Sequence, residues 1–146
     1  MPNSRWATIA DMTASKVYSL PVRVYFQDTD AGGVVYHANY LNFMERARTE
    51  WLRAHGYSNA GLMKEFGVVF VVRTMKLDYL KPALLDDALQ VSVLLKDIGR
   101  SRLALQQTVR RSDELLTEAE VHMVCVSVDI FKPVSVPEVL RKKLQN

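Results

Sequence analysis

Two carboxylates, a Gly-Gly pair and an imidazole fall within ten residues of one another in DTDAGGVVYHANY, residues 28–40. A carboxylate beside an activated carbonyl can attack the carbon itself, leaving a transient anhydride. It can instead take a proton from a water that attacks in its place. Asp30 is the candidate for either role, and His37 for orienting the water, holding the carbonyl or acting on a departing group. The same residue types have plainer uses. Aspartate is common in turns, so Asp28 and Asp30 can be turn formers, and a lone histidine near a helix start is commonly a hydrogen-bonded structural residue. Asp28, at the strand end two residues before Asp30, suits a structural role, holding loop amides or an arginine. The trio Asp28, Asp30 and His37 also matches metal ligands in type. Gly-Gly and apolar residues separate the acids from the imidazole, however, and no second ligand cluster accompanies them, so no metal is expected.

Gly32 and Gly33 permit positive φ and a close approach of backbone to ligand, or simply a flexible turn. Their position favours the first use. They lie between the candidate acid and the start of a helix, whose unpaired N–H groups attract negative charge. Donors placed there would meet the oxyanion that forms when a carbonyl is attacked.

That helix is the plainest element of the chain. Over residues 39–56, Tyr40, Phe43, Met44, Ala47, Trp51 and Ala54 recur at three- and four-residue steps, and Leu41 and Leu52 widen the apolar face. Asn39 has the type of an N-cap and Gly56 that of a C-terminal stop. Before it, residues 19–27 read as a strand, and residues 1–17 as an N-terminal extension without clear period. After a short helical turn over 59–66, alternation marks strands at 68–80, 88–98, 101–111 and 116–131, joined by short turns that predict a meander. Ser135 and Glu138 have capping-box spacing at the head of a last helix, within residues 135–146. One sheet wrapped around one buried helix, an α+β architecture, is the economical arrangement for residues 18–134. Residues 68–72 are apolar on both faces, which predicts burial against another copy, as a homodimer or homotetramer.

A length of 146 residues suits one domain with one core. The net charge of +3 permits an anionic ligand but lacks the clustered basic stripe of a nucleic-acid binder. Cys125 is the single cysteine, so no intramolecular disulfide forms and a reducing compartment is the simpler reading. It lies among valines, as an inert buried thiol would. The first sixteen residues hold no apolar stretch of signal-peptide length, and no window approaches the ~20 apolar residues of a membrane span. A cytoplasmic protein is expected.

The stretch DTDAGGVVYHANYLNFMERART, following a short strand and opening a long helix, resembles the hotdog-fold thioesterases of the 4-hydroxybenzoyl-CoA type. More narrowly it resembles the bacterial acyl-CoA thioesterases associated with the Tol-Pal system. KLDYLKPALLDD and KDIGRSRLALQQ are similar to that subfamily's second and third strands. The resemblance implies a five-stranded antiparallel sheet around one long central helix. It implies hydrolysis of an aliphatic or aromatic acyl-CoA, or of an acyl carrier protein thioester, to free acid and thiol without a cofactor. Asp30 then falls on the family's catalytic acid and His37 on the subfamily's loop histidine. The backbone at Gly33, Val35 and Tyr36 falls where the thioester carbonyl is polarised. One departure is Phe26, where the subfamily often has a tyrosine; the tyrosine here is Tyr25. Lys81, Arg100 and Arg102, near strand ends and turns, are candidates for the CoA phosphates. The rival of another class is a non-catalytic acyl-thioester binding module of an envelope or lipid-synthesis assembly. A hotdog dehydratase is a weaker rival, since the helix-borne acid and strand histidine it needs are not evident.

Overall fold

The computed structural model describes residues 16–146, so nearly all of the expected N-terminal extension lies outside the described residues. Strand β1 (Tyr18–Arg23) is followed by a 3-10 turn (Phe26–Asp28) and then by helix α1 (Asn39–Ala54) and helix α2 (Asn59–Phe66). Strands β2 (Val68–Tyr79), β3 (Ala88–Ile98), β4 (Arg102–Arg111) and β5 (Glu114–Ser127) follow, and helix α3 (Glu138–Gln145) closes the chain. The five strands form one antiparallel sheet in the order β1-β3-β4-β5-β2.

That order corrects the expected four-strand meander. Only β3, β4 and β5 are joined as sequential neighbours; β2 pairs along its length with β5, from Val68↔Ser127 to Tyr79↔Thr117. The Lys81-Pro82 turn therefore reverses the chain without forming a hairpin. The link from β2 to β3 must instead cross two intervening strands, three spacings of ~4.8 Å. It runs over the end of the sheet, where Leu80 and Lys81 donate to the Leu116 carbonyl and Asp86 donates to that of Val24.

Helix α1 lies against the sheet as its periodicity requires. Tyr40, Phe43, Met44, Ala47, Trp51 and Leu52 are buried, against Leu89, Val91 and Val93 of β3 and Leu103, Leu105 and Val109 of β4, among others. Leu41 and Ala54 stay exposed, so the buried stripe is narrower than the composition suggested. In place of the Val or Leu that alternation predicts, β4 points Gln107 at the helix. Its amide Nε2 donates to the carbonyls of Met44 (3.1 Å) and Ser92 (3.3 Å), and its Oε1 accepts from Arg48 (2.9 Å). An uncompensated buried amide costs about 1–3 kcal/mol, so these bonds tie α1 to one register on the sheet.

Two expected caps are used differently. Ala38, not Asn39, precedes the first turn of α1, and the Asn39 side chain reaches back to Asp28. Ser135 does not cap α3; its hydroxyl accepts from Arg100 Nε (2.8 Å), and Pro137 stands at the helix start. The core includes Leu140 and Leu144 of α3, so this helix closes the same core rather than standing apart. Among the described residues no helix is long and apolar enough to cross a membrane.

Candidate active site

The stretch 28–38 is a tight ribbon between β1 and α1. Thr29 bridges Val35, Asp30 N–H donates to the Val34 carbonyl (2.9 Å), and Gly33 N–H donates to that of Asp30 (3.0 Å). The two glycines meet different demands of this geometry. Gly33 sits at φ +81°, and a Cβ on Gly32 would stand 3.2 Å from Asp30 Oδ1, which accepts the Gly32 N–H at 2.8 Å. Asp30 is exposed, with one carboxylate oxygen fixed by its own turn; among the described residues no hydrogen bond reaches the other.

Asp28, two residues earlier, has the opposite environment. It is buried, with Oδ2 accepting from Tyr25 N–H (2.7 Å), Oδ1 from Asn39 Nδ2 (2.7 Å) and its carbonyl from Tyr36 N–H (2.9 Å). It fastens the start of the ribbon to the first turn of α1. It holds amides, and no arginine is among these partners.

His37 is exposed, its ring 4.7 Å from that of Tyr36 and edge-on to that of Tyr79 at 6.4 Å. Tyr79 Oη donates to the His37 carbonyl (2.9 Å), and burial pushes the Tyr79 phenol above its ordinary pKa, which keeps the hydroxyl a donor. Tyr40 Oη in turn accepts from Ala83 N–H (3.0 Å). Neither tyrosine stands out in the sequence, because each carries an apolar position of its element and the hydroxyl's partner is some forty residues distant.

The backbone amides of the ribbon fall into two groups. Gly33 N–H is bound to Asp30, Val35 N–H to the Ala83 carbonyl (2.9 Å) and Tyr36 N–H to the Asp28 carbonyl. These three amides are occupied within the protomer. Among the described residues the N–H groups of His37 and Ala38 meet no protein acceptor, and they lie at the positive end of α1.

Residues 24–144 match the Thioesterase-like superfamily. The chain belongs to that superfamily. It is 49% identical over 123 residues to the acyl-CoA thioester hydrolase YbgC of Escherichia coli O6:H1, covering 84% of this chain and 91% of that protein. It is 44% identical over 121 residues to the acyl-CoA thioesterase YbgC of Haemophilus influenzae, covering 83% and 89%. The crystal structure of a probable thioesterase from Bartonella henselae superposes with a TM-score of 0.80 at 33% identity, over 83% of this chain and 99% of that one. The fold is the hotdog fold, and the enzyme class is thioester hydrolase.

On this thioesterase frame the three basic candidates separate. Lys81 is at the ribbon's end of the sheet, paired with Glu114 (2.7 Å); Arg111 bridges the same Glu114 and Asp87 (2.7 Å each). Arg100 and Arg102 lie at the opposite end, the length of β3 away, roughly 30 Å at ~3.3 Å per residue. Within one protomer they do not meet Asp30. Phe26, where the subfamily often has a tyrosine, is 81% exposed. Cys125 is fully buried, and burial pushes its thiol up to about 11, as an inert side chain requires. His55 bonds the Trp51 carbonyl and His122 bonds Glu120. No group of three or more metal-ligating side chains occurs among the described residues.

Proposed function

We propose that this thioesterase hydrolyses acyl-CoA esters, aliphatic or aromatic, to the free acid and CoA, with Asp30 supplying the carboxylate. The observation that carries the reading is the pairing of an exposed, turn-locked acid with open amides at a helix start on the same ribbon. The thioester carbonyl oxygen is held by the His37 and Ala38 N–H groups. Asp30 then adds to the carbonyl carbon, or takes the proton of a water that does. The tetrahedral oxyanion is stabilised by the same amides, the C–S bond breaks, and the CoA thiolate leaves and takes a proton. In the direct route water then cleaves the anhydride at Asp30. Losing one oxyanion donor typically costs ~2.7–4 kcal/mol in the transition state. The His37 imidazole is an auxiliary at the leaving group.

A second copy belongs beside β2. This strand is an edge of the sheet, and Val72 is exposed on it. An unpaired edge of this length invites a strand from another chain. Arg100 and Arg102 can serve CoA phosphates only across such a subunit boundary. The resemblance of the loop motif to that of the Tol-Pal-associated thioesterases supports a reading of the chain as one of that group. The deciding experiment is CoA release from short, long and aromatic acyl-CoA esters by wild type and Asp30→Asn. Turnover abolished in a folded variant supports the reading. Binding without turnover by either protein moves it to a non-catalytic module, and equal turnover by both puts the chemistry elsewhere.

A further inference from the structure

A groove of about 310 Å³ opens between α1 and the sheet, lined by Arg48, Leu52, Phe70, Val72 and Met123 among others. Two stripes lead to it from the ribbon. On α1, Ala38, Leu41, Glu45, Arg48 and Leu52 follow one another at three- and four-residue steps along one side of the helix. On β2, Tyr79, Leu77, Met75, Val72 and Phe70 face the helix, the bulge at Arg73 keeping Val72 and Met75 in phase opposite Met123 and Val121. Tyr79 touches the site through the His37 carbonyl, while Phe70 and Val72 line the groove. The two stripes run from the ribbon, at Ala38 and Tyr79, to the groove at Arg48. Ten residues of helix make that path roughly 15 Å.

Arg48 is the one cation among the residues that line the groove. Among the described residues its hydrogen-bond partner is the neutral amide of Gln107, and no carboxylate lies within 4 Å of it. Burial lowers its pKa, with nearby Glu45 opposing the shift from a distance. A half-buried guanidinium has five N–H donors, and the amide of Gln107 takes only one of them here. Such a group gains most from an acceptor that arrives with the ligand.

We infer that Arg48 selects acyl chains whose far end carries a hydrogen-bond-accepting oxygen. The inference rests on the acyl-CoA reading above and names its substrate class. The Thr49 hydroxyl donates to Glu45 (2.7 Å), and Arg48 is the charged donor among the residues that line the groove. A hydroxyl and a carboxylate offer the same acceptor chemistry, and the test separates them.

The test compares dodecanoyl-CoA with its ω-hydroxy and ω-carboxy derivatives, as CoA release by the full chain. Wild type is expected to favour an oxygenated chain by about tenfold in kcat/KM, with the difference in KM. The faster of the two derivatives identifies the source of the oxygen. In Arg48→Met the ratio falls to about one, and in Arg48→Lys part of it returns. A wild-type ratio of one or less overturns the inference, even if Arg48→Met fails to fold. So does an unchanged ratio in folded Arg48→Met. If that variant sediments as a monomer where wild type is a dimer, again with the ratio unchanged, the groove belongs to a second copy and the inference falls. Hydrolysis of all three esters without preference removes Arg48 alone; no CoA release from any ester removes the acyl-CoA reading as well.

Discussion

The two ends of the sheet treat their polar groups differently. At the end where Ile98 gives way to β4, the chain closes on itself. Arg141 donates to the carbonyls of Gly99 (2.8 Å) and Arg100 (3.0 Å), Val136 N–H donates to that of Arg100 (2.8 Å), and Cys125 N–H to that of Ser101 (2.7 Å). Helix α3 covers this end with Leu140 and Leu144. At the other end Asp28 is just as fully bonded, yet the ribbon it fastens leaves a carboxylate and two amides open beside exposed Tyr36. Buried polar groups are nearly always satisfied, and the donors and acceptors left open on this rigid support are what make this end the candidate site.

The largest effect separates the two acids of the ribbon. Asp30→Asn keeps the acceptor for Gly32 N–H, so kcat/KM should fall by about a hundredfold to ten-thousandfold while the melting temperature holds. A comparable loss of stability in that variant would break the contrast with Asp28. Asp28→Ala leaves Tyr25 N–H and the Asn39 amide without their acceptor, and urea unfolding should show a loss of about 2–3 kcal/mol. Its activity falls with the order of the ribbon.

At the far end, Arg141→Ala should cost about 1–2 kcal/mol in the same unfolding assay. Its kcat/KM for acyl-CoA stays within twofold of wild type, by roughly the rule that distant sites act independently. A tenfold drop would mean that the two ends are coupled, as an interface shared between copies would make them. The smallest effect is a pH dependence beside the ribbon. Lys81, then Arg111, hold the Glu114 carboxyl below its ordinary value of 4.5. A lowered folded pKa means that the stabilisation is complete above that ordinary value and is lost as pH falls through the folded one. Thermal melts should therefore show Glu114→Gln less stable than wild type near neutrality, and the gap closing as pH falls through the lowered folded pKa. A gap that persists at low pH would assign it to packing rather than charge.

The sequence by itself determined the helix, the strands and the place of the ribbon. Three- and four-residue spacing in α1 and two-residue alternation in the strands report which face of each element is buried, and that information is local. So are the demands of a turn that needs a positive φ at Gly33 after Asp30. Tertiary structure alone decided which neighbour each face meets. Alternation in β2 is the same whether its partner is β3 or β5, and the choice of β5 placed Tyr79 under His37. It also decided which amides stay open, because Val35 N–H is occupied by a carbonyl at Ala83 and Tyr36 N–H by one at Asp28. Likewise it put Arg100 and Arg102 a full strand length from Asp30 and left Arg48 facing a groove. A hydrogen bond depends on where two distant segments come to rest, and spacing along one segment carries no record of the other.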